Sequence, residues 1–139
     1  MDQAQKRPKM KEPSEAMRGW AEALAVEIEG WPGVTLQRAF GMKLIRRSGV
    51  VFAALPSTRA LYAKDAILLK FVKESPALAK RISAEPRFAM GTMEQRRTTT
   101  RKASGEGRKW RIFTMREDGD VHAAIEWMAE AYRLAGSKQ

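Results

Sequence analysis

From Met17 to Ile28 the apolar positions Met17, Trp20, Ala21, Leu24, Ala25 and Ile28 recur at helical spacing, with Arg18, Glu22, Glu27 and Glu29 on the other side. Ser14 suits an N-cap, Gly30 a C-terminal stop, and Pro32 forbids continuation, so the pattern predicts a first helix over 14–29. From Val34 the period shortens to two. Val34, Leu36 and Phe40, then Met42 and Leu44, alternate with Thr35, Gln37 and Lys43, and an apolar run from Val50 to Leu55 follows the tight-turn pair Ser48-Gly49. Pro56-Ser57-Thr58 and Lys64-Asp65 bracket a short strand over 60–63, and 66–72 reads as another. Connections this short exclude parallel crossovers, which leaves an antiparallel meander of about five strands.

Ser75 and Pro76 open a short helix over 76–83 that Pro86 stops, and 87–90 reads as extended. Trp110, Ile112 and Thr114 alternate with Arg111, Phe113 and Met115 in a late strand, which brings the expected total to five or six. Val121, Ile125, Met128 and Tyr132 then define a closing helix, with Asp118 or Asp120 placed to cap it and Gly136 to end it. Helix, meander, short helix, strand and helix in that order predict an α+β fold with both long helices on one sheet face. A chain of 139 residues forms one domain, expected over 14–136, behind a disordered basic tail at 1–13.

Charge changes this picture more than composition does. Lys and Arg number 26 against 16 Asp and Glu, and the pI is about 10.3, which favours a polyanionic partner. The distribution is uneven. Between Gly91 and Arg111 the chain reads GTMEQRRTTTRKASGEGRKWR, with Arg96, Arg97, Arg101, Lys102, Arg108, Lys109 and Arg111 against Glu94 and Glu106, a net of +5. Between Met93 and Trp110 its one apolar residue is Ala103, so this run builds no core of its own and is expected to be a charged loop, at about 91–109, carried by the frame around it. There is no cysteine, which excludes thiolate chemistry and cysteine zinc sites and is usual in a reducing compartment. The polar N-terminus offers no signal-peptide core and no run of about 18 apolar residues occurs, so a soluble cytoplasmic protein without membrane contact is expected.

The stretch AFGMKLIRRSGVVFAAL, followed by LYAKD and a closing helix EWMAEAYRLA, resembles the N-terminal domain of the TfoX competence regulators. The combination of WPGV, a central meander, a Trp before a late strand and an alanine- and tyrosine-rich final helix is similar to the MmcQ/YjbR family. WPGV, the glycine near Phe40 and the terminal helix also resemble small bacterial domains labelled luciferase-like. The resemblance implies a double-wing α+β fold and DNA as the partner, and it brings no catalytic residue. Met42 stands where the TfoX-like pattern carries a second glycine, and the 91–109 segment is this chain's own.

Residues with catalytic chemistry are sparse. His122 is the single histidine, too few for a zinc site, and no GxSxG elbow accompanies the serines. Gly105-Glu106-Gly107 lacks the phosphate-loop spacings. Glu126 and Glu130 lie one turn apart on the predicted solvent face of the last helix, and the acids at 117–120 suit its positive end. The four Trp, with Phe40, Phe52, Phe71, Phe88 and Phe113, occupy mostly inward positions, while Trp110 and Phe113 also interleave with cations as base-stacking aromatics do. The expectation is a domain that is not an enzyme, needs no cofactor or metal, and binds nucleic acid, DNA foremost, with low sequence specificity. Arg96, Arg97, Arg101, Lys102, Arg108, Lys109 and Arg111 form the first contact, and Arg46 and Arg47 at the hairpin tip form a second if both tips point the same way. An acidic protein is the alternative partner, and a small ligand a further one.

Overall fold

The computed structural model describes residues 10–61, 63–89 and 110–137, and the change of hydrophobic period falls where the chain passes from helix to sheet. Helix α1 (Glu15–Glu29) starts at Ser14, whose Oγ accepts the Met17 N–H at 3.1 Å. Its apolar stripe, Met17, Ala21, Leu24, Ala25 and Ile28, is buried. Strands β2 (Val34–Ala39), β3 (Met42–Arg47) and β4 (Val50–Pro56) form an antiparallel meander through two-residue turns. Both turns place φ positive at both residues, Phe40-Gly41 and Ser48-Gly49, the geometry that matches strand twist. A bulge opposite Ile45 and Arg46 turns Phe52 and Ala53 to the same side.

Beyond β4 the meander is interrupted. The dipeptide strand β5 (Ala60–Leu61) leaves the main sheet and pairs with β1 (Met10–Lys11). The tail expected to be disordered through residue 13 is therefore structured from Met10, and Pro13 is buried; residues 1–9 lie outside the described residues. Strand β6 (Ala66–Lys70) returns beside β4, helix α2 (Pro76–Ser83) follows with Ser75 Oγ accepting the Leu78 N–H, and β7 (Trp110–Thr114) completes the sheet in the order β2-β3-β4-β6-β7. Helix α3 (Gly119–Ser137) closes the chain and runs one residue past Gly136.

Both long helices cover one face of the sheet, over a core that includes Leu24, Ile28, Ile45, Phe52, Leu69, Phe113 and Met128. The opposite face carries a smaller cluster of Met42, Ala54, Ala66, Leu68 and Ile112, flanked by Met10, Leu44, Leu61, Ala63, Ala89 and Trp110. Phe40, expected to face inward, is 86% exposed, because the turn conformation it adopts lifts its side chain clear of both faces. Among the described residues no helix is long and apolar enough to cross a membrane.

Candidate nucleic-acid interface

The strand registers decide which charged residues meet. Val34 pairs with Arg47, Arg47 with Val50, and Lys70 with Trp110, so the start of β2, the β3–β4 tip, the end of β6 and the start of β7 share one end of the sheet. Beside β7 the chain runs antiparallel over 87–89: Thr114 N–H donates to Arg87 O at 2.7 Å and Ala89 N–H to Ile112 O at 2.9 Å. Phe88 holds this edge in place, with its ring 5.1 Å from Phe113 and 5.0 Å from Trp127 in edge-to-face contact. The chain therefore departs at Ala89 toward the same end to which it returns at Trp110, the end that also holds the β3–β4 tip. Arg96, Arg97, Arg101, Lys102, Arg108 and Lys109 lie between them, outside the described residues.

Strand alternation then sorts the remaining cations between faces. Arg46, Val51, Lys70 and Trp110 belong to the face without helices. All four are half-buried, and Arg46 Nη1 donates to Gln37 Oε1. The β1–β5 pair covers the far end of that face, since the 57–65 connection joins β4 and β6 there. From β3 to β7 is three strand spacings, about 14 Å. A basic and aromatic corner of this kind suits a phosphodiester backbone with bases laid on an indole, and its aromatic member sits at the root of the cationic segment.

Arg47 and Arg111, expected as contacts, are committed elsewhere. Arg47 faces the helices: its guanidinium lies 4.0 Å above the Tyr132 ring and donates to Tyr132 O at 3.1 Å, against the C-terminal turns of α3. Arg111 Nε donates to Glu74 Oε2 at 3.0 Å, and Nη2 donates to Oε1 of the same carboxylate. With side chains only 13% and 20% exposed, this fork is an internal tie between β7 and the chain before α2. Lys70 escaped the sequence reading. Its signal was the alternation of β6, where Leu68 and Lys70 share a face opposite Leu69.

Acidic residues gather at the other end of the sheet. Asp120, 4% exposed, accepts the Arg116 and Glu117 N–H groups at 2.6 and 3.1 Å and pairs with Arg87 Nε at 2.7 Å. Burial works to raise its carboxyl, but the Arg116 amide, the Arg87 guanidinium and the Glu117 amide together hold it below the ordinary carboxylate value. Trp20 Nε1 donates to Asp118 Oδ1 at 2.8 Å, joining α1 to the same turn. His122 is exposed, 3.4 Å from Glu126, and no group of three or more His, Asp or Glu able to hold a metal ion occurs among the described residues.

Compared with known proteins, the chain matches no family model, no curated protein and no solved structure.

Proposed function

We propose that this chain is a nucleic-acid-binding domain of low sequence specificity, with DNA as its foremost ligand, acting in the cytoplasm without catalysis, cofactor or metal. The observation that carries the reading is the convergence, at one end of the sheet and on its helix-free side, of Arg46, Lys70 and Trp110 with both anchors of the 90–109 segment. That segment brings Arg96, Arg97, Arg101, Lys102, Arg108 and Lys109. The likeness to the TfoX and MmcQ/YjbR domains points the same way. Arg47 and Arg111 hold the frame in this reading and do not touch the ligand.

A mobility-shift titration on duplex DNA, single-stranded DNA and RNA at several salt concentrations tests it. If five phosphates are engaged on a duplex, log K falls against log salt with a slope of about −4 to −5. Replacing Arg96, Arg97, Arg101 and Lys102 by Ala weakens binding and brings the slope about three units or more closer to zero. Unchanged affinity in that variant refutes the reading, and so does the absence of any shift by the unaltered chain. In the latter case an acidic protein becomes the partner to seek.

A further inference from the structure

Among the described residues, the large apolar side chains left exposed are Val26 and Phe40, at 65% and 86%. Phe40 borders the β2 edge of the sheet, and Val26 lies on the outward face of α1. Phe40 is the first residue of the turn that ends β2. Val26 lies between Glu22 and Glu29 on one side of α1, and those two glutamates line grooves shared with β3 and β2 respectively. The second of these is a shallow groove of about 370 Å³ between α1 and the edge, lined by Glu29, Val34, Leu36, Gln37, Arg38 and Lys43.

The edge itself is primed for pairing. The two-residue turn at Phe40-Gly41 makes Ala39 and Met42 a hydrogen-bonded pair, and Ser48 N–H donates to Gly33 O. By alternation Thr35, Gln37 and Ala39 point their main-chain groups at β3, whereas Leu36 and Arg38, and the Val34 carbonyl, point theirs away from the sheet. Natural edges are usually blunted by proline, a bulge or a covering element, and none of these protects 34–39 among the described residues.

We propose that a second copy of this chain occupies the edge, related by a two-fold axis through Leu36, and that the two five-stranded sheets become one continuous antiparallel sheet. Several features select this register. Pairing about Leu36 keeps each residue on its own face and uses the outward groups in two reciprocal pairs, Leu36 with the partner's Leu36 and Arg38 N–H with the carbonyl of the partner's Val34. It sets the partner's Arg38 opposite Val34, beside Glu29 in the same groove, and the symmetry repeats that ion pair on the other side. It also carries Phe40 to the level of the partner's Pro32, an exposed residue in the turn before β2, which gives the exposed ring an apolar seat. Leu36 meets its own copy on the helix-covered face. The edge lies across the sheet from β7, so the dimer stands independently of the nucleic-acid reading.

Sedimentation or mass photometry of the full chain over a range of concentrations tests the assembly, at moderate ionic strength that screens the repulsion between two chains of net charge +10. The unaltered chain is expected to shift reversibly from monomer to dimer mass. Arg38→Glu and Glu29→Arg, both at exposed positions, each weaken association by about tenfold or more, and the double reversal restores it to within about threefold of the parent. Phe40→Ser weakens it as well while circular dichroism stays unchanged. A monomer at every concentration overturns the proposal, as does a dimer indifferent to both single reversals or a double reversal that fails to recover.

Discussion

Asp120 shows how one buried side chain joins the end of a strand to the start of a helix. Its carboxylate receives two amides from the 116–117 turn and the Arg87 guanidinium, and it sits in the first turn of α3, where the helix dipole favours negative charge. Arg87 is more than a third exposed, so solvent screens that part of the interaction, and the buried amides dominate. Asp120→Ala leaves both amides without their acceptor and is expected to cost about 2 kcal/mol at neutral pH by denaturant titration. The folded-state carboxyl lies below its ordinary value of 3.8, so its contribution is complete above that value and is lost as pH falls through the lower folded value. The gap between parent and variant therefore narrows on acidification below about 3.8; a gap constant with pH means that the carboxylate charge is not what stabilises the turn. The sequence offers 118 or 120 as the cap, whereas Asp120 lies inside the helix and takes the amides of the turn before it, an arrangement tied to Arg87, 33 positions away.

At the scale of elements, the two arginines of the β3–β4 tip follow the alternation of the strand into different roles. Arg47 is turned to α3 and Arg46 to the open face, an assignment that follows from Leu44 and Ile45 once β3 is recognised. Period, caps and turn pairs made helices α1, α2 and α3 and the main strands legible. The β1–β5 pair was not, because two-residue strands carry no period and the pairs Met10–Leu61 and Lys11–Ala60 join segments distant in the sequence. Phe40 misled because its apolar character suggested a core position, whereas the turn demanded φ of 54° there. Arg111 reads in the sequence as one more contact of the basic run, because its partner Glu74 lies 37 positions away. Arg47→Ala and Arg111→Ala are accordingly expected to lower stability by about 1 and 2 kcal/mol with no change in the salt slope of nucleic-acid binding. Arg46→Ala does the reverse, with little loss of stability and a slope closer to zero by about one unit. If Arg47→Ala alters the slope while Arg46→Ala does not, the assignment of faces is wrong.

At the scale of the whole molecule, part of the charge placement along the strands serves the fold. Both α1 and α3 begin at the end where Asp118 and Asp120 gather and finish at the end that holds Arg47, so acids sit near helix N-termini and a cation near a C-terminus. The cations beyond those needs are concentrated in the 90–109 segment, whose six Lys and Arg face only Glu94 and Glu106. Its charge was the plainest signal in the sequence, and its anchoring beside β7 was hidden because Phe88 pairs with Phe113 across a separation that no local pattern encodes. A surplus of like charge opposes the compact state through self-repulsion, which salt relieves. Raising ionic strength from low to physiological is therefore expected to increase the melting temperature by about 4 °C, equivalent to roughly 1 kcal/mol for a chain of this size. In the variant with Ala at 96, 97, 101 and 102 the net charge falls from +10 to +6, so this salt-induced rise shrinks. A rise of equal size in parent and variant would place the repulsion elsewhere in the frame; a smaller one in the variant locates it in the segment proposed to meet the phosphates, whose binding then also offsets the cost that the charge imposes on folding.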